Sequence, residues 1–129
     1  MRYNLNYLYN ELTEKIIGLS ISVHKELGPG LLENVYKQCL AYELSKANID
    51  FQLEVECPVF YKDIKINCGY RIDILVENKI ILELKSVDKL IPVYDSQLLT
   101  YMKLFKLKLG LLINFNEKIL KDGIKRLIL

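Results

Sequence analysis

The sequence has a single histidine, three cysteines and a net charge of only +2, and each scarcity removes a class of function. With His24 alone, histidine-based nucleophilic catalysis has little to draw on. Its place just before Gly28-Pro29-Gly30 suits a cation at a helix C-terminus or a packing group. Cys39, Cys57 and Cys68 are odd in number and lack C-x-x-C spacing. That excludes a disulfide framework and a zinc site, and predicts buried free thiols in a reducing cytoplasm. No stretch approaches the roughly 20 apolar residues of a membrane-spanning helix. Met1-Arg2-Tyr3-Asn4-Leu5-Asn6 has no apolar signal core, so secretion is not expected. Repeats, low-complexity tracts and linkers are also lacking, which predicts one domain over residues 1–129, with 1–10 as an N-terminal extension.

What is present is ordinary for a folded protein: 51% hydrophobic and 26% charged residues, enough for a real core. The charge is uneven. Residues 1–60 carry five basic and eight acidic side chains; residues 61–129 carry thirteen and eight. The basic second half either faces phosphates or is a solvated surface.

Leu12, Ile16, Ile17, Val23 and Leu27 recur at helical spacing and predict a helix over about Leu12–Leu27, broken by Gly28-Pro29-Gly30. A second helix is expected from Leu31 to Ala47, burying Leu32, Val35, Tyr36, Cys39, Leu40 and Leu44. Phe51, Leu53 and Val55 alternate as in a half-buried strand, and Pro58 interrupts it. Val59–Tyr61 leads through Lys62-Asp63, a turn candidate, to a returning strand at Ile64–Cys68. The strongest strand signals are Arg71–Glu77 and Lys79–Val87. A helix at Asp95–Phe105, an apolar strand at Leu109–Phe115 and a last strand at Ile124–Leu129 complete an α/β order: a mixed sheet with helices against it.

The hairpin within Arg71–Val87 has a register that its pattern dictates. Placing Ile72, Ile74, Val76, Ile80, Leu82 and Leu84 on one face sets Val76 opposite Ile80 and leaves Glu77-Asn78-Lys79 as the loop. Asp73 then lies opposite Glu83, with Lys85 two residues along on the same side. Cross-strand Cβ atoms are about 4.5–5.5 Å apart, near enough for two carboxylates to share a divalent cation that relieves their repulsion. With Lys85 to orient or deprotonate water, or to hold a phosphate oxygen, this is a constellation for phosphodiester hydrolysis. The same pattern also fits a polar sheet face with an ordinary acid–lysine pair.

Gly30-Leu31-Leu32-Glu33-Asn34-Val35-Tyr36 fits a G-x-x-E-x-x-Y signature. Gly69-Tyr70-Arg71-Ile72-Asp73, Ile81-Leu82-Glu83-Leu84-Lys85, Gln97-Leu98-Leu99-Thr100-Tyr101 and Gly110–Phe115 follow in order. Together they resemble the GxxExxY proteins, grouped with the PD-(D/E)XK nuclease superfamily, over nearly the whole chain. The resemblance implies a restriction-endonuclease-like fold and a Mg²⁺- or Mn²⁺-dependent nuclease with Asp73, Glu83 and Glu33 as metal residues. DNA is the leading substrate and a deoxyribonuclease of exonuclease type the leading form, while endo or exo cleavage stays open. Asp73 and Glu83 would ligate the metal, Glu33 would complete the acidic set, and Lys85 would assist the water. Gln97 and Tyr101 resemble the Q-x-x-x-Y motif of exonuclease domains, and share one helix face.

Each assignment has a structural counterpart. Glu33 suits the first turn of a helix for dipole reasons alone. Gln97 and Tyr101 fit a buried polar pair as well as a DNA contact. Arg71 fits a phosphate contact or a salt bridge, and Tyr36 a core residue with a hydrogen-bonded tip. Relatives often carry a histidine near Tyr94, and its absence here touches substrate contacts. Beside a DNA nuclease stand an RNA nuclease and a non-catalytic module that binds nucleic acid or protein. A site this small would hold a duplex with the help of a second copy or a partner.

Overall fold

In the computed structural model, which describes residues 9–129, three helices flank a five-stranded sheet. Helix α1 (Asn10–Leu27) and helix α2 (Glu33–Lys46) come first, then β1 (Phe51–Glu56) and a small hairpin of β2 (Val59–Tyr61) and β3 (Ile64–Ile66). After β4 (Arg71–Val76) and β5 (Ile80–Lys85), helix α3 (Pro92–Phe105) crosses to β6 (Leu109–Asn114). A 3₁₀ turn at Leu120–Gly123 leads into β7 (Ile124–Ile128). The sheet order is β1-β4-β5-β6-β7; only β5 and β6 run parallel, joined by α3, as a parallel connection requires.

Both faces of the sheet are covered. Ile16, Tyr36, Leu40 and Leu44 from α1 and α2 pack on Ile74, Leu82, Leu84 and Leu111. Leu98, Tyr101 and Met102 from α3 pack on Leu75, Ile81 and Leu112. This explains why β5 and β6 are buried almost throughout rather than alternating between buried and exposed residues. Gly110 lets α3 settle closely: a Cβ there would stand 2.9 Å from Leu98 Cδ1 and from Met102 Sδ.

Several expectations need correcting. The buried stripe of α2 is Tyr36, Lys37, Leu40, Ala41 and Leu44, while Leu32 and Val35 are exposed. The helix starts two residues later than expected, so Leu32 belongs to its cap, and the ion-paired Lys37 takes a place given to an apolar residue. Helix α3 begins at Pro92, whose fixed φ and missing N–H suit the first helical turn. The strand expected over Ile64–Cys68 ends at Ile66 and, with β2, stands apart from the main sheet with most of its side chains exposed. Of the cysteines only Cys57 is buried; Cys39 is half-buried and Cys68 exposed, because the coil after β3 leaves the core.

The β4–β5 hairpin has Val76 opposite Ile80, as its pattern dictates. Glu77 and Asn78 in the loop both adopt left-handed φ of 54°. One face assignment fails. Ile72 packs with Leu75 and Ile81, not with Ile74 and Val76. Its β1 partner Val55 goes with it, whereas Leu53 stays with Ile74. Between Leu53 and Val55 sits Glu54 with φ 51°, a left-handed residue that interrupts the strand's alternation beside Asp73. No helix among the described residues is long and apolar enough to cross a membrane.

Candidate active site

The sheet forks at the level of Asp73. Strand β4 pairs with β5 from Val76 to Ile74 and no further, but stays paired with β1 to Arg71. Strand β5 meanwhile stays with β6 as far as Lys85 and Asn114. Inside the fork the two acids take over from the backbone. The Asp73 N–H donates to Glu83 Oε1 at 3.1 Å, and the Leu84 N–H donates to Asp73 Oδ2 at 2.8 Å. Each carboxylate therefore reaches the opposite strand and keeps one oxygen for another partner.

This arrangement is electrostatically uncomfortable. Glu83 is 6% exposed, and burial followed by the Asp73 charge pushes its carboxyl up to about 8. Burial also raises Asp73, partly offset by the Leu84 N–H and the charge of Lys37. Without a cation the pair holds a proton near neutral pH. Such groups in a fork of the sheet mark a candidate site.

Glu33 is the first residue of α2 and is exposed, yet its charge raises both Asp73 and Glu83. It is placed by the loop before it. The Tyr36 hydroxyl donates to the Gly28 carbonyl at 2.6 Å and accepts from the Leu31 N–H at 3.1 Å. The Leu31 carbonyl in turn accepts from the Ser86 hydroxyl, just beyond β5. Tyr36 is fully buried and stacks on Phe115 at 4.5 Å, so it supports the site from behind. Among the described residues no three His, Cys, Asp or Glu side chains are gathered closely enough to hold a metal ion. The charge of Glu33 acts on both acids.

Lys85 ends β5 with its ammonium 4.6 Å from the centre of the Tyr94 ring, on α3. Its charge lowers both acids, against the larger effect of burial. Gln97 Nε2 donates to the Tyr101 hydroxyl at 2.9 Å. Tyr101 is buried, and burial together with the Glu83 charge pushes its hydroxyl up to about 12, so it stays protonated. The Gln97–Tyr101 pair lies on α3, where Tyr101 feels the Glu83 charge. Arg71 is exposed, and its charge acts on Glu54. His24 is buried and its Nε2–H donates to the Glu117 carbonyl at 2.7 Å, a packing role.

Three contributors are not among the site residues expected from the sequence, although Asn114 lies within the Gly110–Phe115 motif and the Tyr94 position bears on substrate contacts. Lys37, one turn after Glu33, is nearly buried and bonds Glu54 at 2.8 Å while its charge acts on Asp73. Tyr94 carries the Lys85 ammonium. Buried Asn114 accepts from the Val87 N–H and donates to the Val87 carbonyl, fastening the chain after Lys85. Helical spacing from Glu33 was the only hint of Lys37. A cleft of about 520 Å³ lies against Glu77 and Lys79 at the turn end of the hairpin, away from this chemistry.

A forked mixed sheet, with acids from adjacent strands and a lysine two residues beyond the second, defines a nuclease-like hydrolytic scaffold. The profile of the PD-(D/E)XK nuclease superfamily matches residues 10–127, and the chain belongs to that superfamily. No curated protein and no solved structure matches the chain significantly.

Proposed function

We propose that this chain is a metal-dependent nuclease that hydrolyses phosphodiester bonds in DNA. The observation that carries this reading is the fork itself, where buried Glu83 and half-buried Asp73, both of raised pKa, feel the charge of Lys85. The donor chemistry suits Mg²⁺ or Mn²⁺: the available groups are hard carboxylate oxygens, and a cation would remove the repulsion that otherwise demands a proton. Asp73 and Glu83 would hold the ion, with Glu33 adding negative charge at its open side. A bound divalent cation supplies Lewis-acid polarisation and acidifies water.

Lys85 has no metal-binding lone pair while charged, so its part is to hold a phosphate oxygen or the attacking water. Tyr94 beneath it restricts where the ammonium goes. The Gln97–Tyr101 pair keeps α3 in register with Glu83. Within the superfamily we place the chain with the GxxExxY group, on Gly30, Glu33 and Tyr36. DNA is chosen over RNA on the likeness of Gln97 and Tyr101 to the exonuclease motif, and a second copy or partner protein would complete a duplex site.

The test is incubation of the purified chain with single- and double-stranded DNA and RNA, with Mg²⁺ or Mn²⁺, beside Glu83→Ala. Metal-dependent cleavage lost in Glu83→Ala is expected. Absence of cleavage of every substrate would leave a binding module in its place.

A further inference from the structure

We propose that the cleft between α3 and the start of β4 is a stacking site for an unpaired nucleobase, so that the substrate enters as single-stranded DNA. The proposal rests on the nuclease reading for its choice of nucleic acid as ligand.

The cleft has a volume of about 330 Å³ and is lined by Tyr70, Tyr94, Gln97, Thr100 and Tyr101. That is the size of a small-ligand cleft, about 300–1,000 Å³, with room for a base but not for a paired helix. Two of its lining residues also belong to the surroundings of the acidic fork. Tyr94 lines it and also lies under the Lys85 ammonium. Tyr101 lines it while its hydroxyl feels the Glu83 charge. A base held here puts its own backbone beside Lys85.

The rings are disposed to accept a further aromatic. Tyr70 and Tyr101 are 6.3 Å apart and tilted by 59°, so they do not consume each other's faces by stacking. Tyr70 is 47% exposed and lines the cleft, so part of its ring is accessible to a bound base. The polar lining is sparse: Gln97 gives its amide N–H to Tyr101, which leaves its carbonyl oxygen to accept from a base edge. Thr100 donates its hydroxyl to the Ser96 carbonyl and keeps lone pairs free. Aromatic faces with few directional groups suit sequence-tolerant stacking of a single strand. The same ligand class accounts for the next aromatics along this edge, Phe60 and Tyr61 on the β2–β3 hairpin, both more than half exposed. Paired bases inside a duplex offer no free face to such a cleft.

Binding of a fluorescein-labelled short oligothymidine, and of a duplex of equal length, is measured by anisotropy in EDTA, where no cleavage intervenes. The single strand is expected to bind about ten-fold more tightly than the duplex. Thr100→Trp, which fills the cleft, and Tyr70→Ala, which removes an exposed ring, should each weaken the single strand about ten-fold and leave the duplex unchanged. Either variant alone suffices if the other fails to fold by circular dichroism. Equal affinity for the two forms, or single-strand binding unaltered in the folded variants, overturns the proposal. Cleft-dependent binding by a chain that cuts nothing with Mn²⁺ defeats the nuclease reading and leaves the stacking site standing. Cleavage of single strand and duplex alike with no cleft dependence defeats only the stacking site.

Discussion

Asp73 and Glu83 exchange places across the fork: the backbone N–H of Asp73 bonds the Glu83 carboxylate, and the Asp73 carboxylate bonds the N–H that follows Glu83. These bonds hold two acids together that charge alone would separate. They also occupy one oxygen of each acid and leave the other for a further partner.

The metal-free protein should therefore lose stability as pH rises. Glu83 is raised from the ordinary carboxylate range to about 8, so the folded chain binds a proton that the unfolded chain releases near pH 4.5. Its contribution is fully present below pH 4.5 and lost as pH passes 8. In EDTA, the melting temperature should fall by roughly 5–10 °C between pH 5 and pH 9. Glu83→Gln should flatten that slope and Mn²⁺ should reverse it; a flat profile for the parent chain contradicts the assignment.

Lys85→Ala should reduce cleavage by about 10²–10⁴-fold, as for loss of a positioned acid–base group. Mn²⁺ affinity measured by calorimetry should stay within about three-fold, because a charged ammonium is no ligand. A large loss of metal affinity would show that Lys85 shapes the acids rather than the water.

Lys37→Met tests a residue outside every motif. Its charge lowers Asp73, so its removal should make that acid hold its proton to higher pH. The pH midpoint of Mn²⁺ binding should move upward by about half a unit or more. An unmoved midpoint would confine Lys37 to its bond with Glu54.

Tyr36→Phe keeps the ring that stacks on Phe115 and removes only the hydroxyl that bonds Gly28 and Leu31. Leaving those loop groups without partners should cost about 1–3 kcal/mol in chemical denaturation. If Glu33 depends on that loop, cleavage falls as well; an unchanged midpoint of unfolding would argue that water replaces the hydroxyl.

Gly110→Ala should destabilise by about 1–3 kcal/mol through overpacking, since the added methyl meets Leu98 and Met102 at 2.9 Å. Thermal unfolding reads this directly. A neutral result would mean that α3 shifts outward, which a loss of the Gln97–Tyr101 contact would reveal.

The hairpin was legible because its information is local. Alternation of period two sets Val76 against Ile80; the observed ladder ends at Ile74 and Leu82, and beyond it Asp73 and Glu83 meet through side chain–backbone bonds rather than as a paired position. The pattern misplaced Ile72, since a left-handed Glu54 on the neighbouring strand cannot be read from alternation. It also misjudged α2: a cap two residues further along rotates the buried stripe and admits Lys37.

The amino-acid order by itself determined the acids, the lysine and the strands that carry them, because strand geometry links neighbours two residues apart without help from the rest of the chain. Only the packed tertiary structure decided that β4 and β5 part at Asp73, and that Lys37, Tyr94, Tyr101 and the loop at Leu31 arrive there from α2, α3 and the turn before α2. Those neighbours are set by how α2 and α3 close over opposite faces of the sheet, and contacts between distant segments leave no period in the sequence to read.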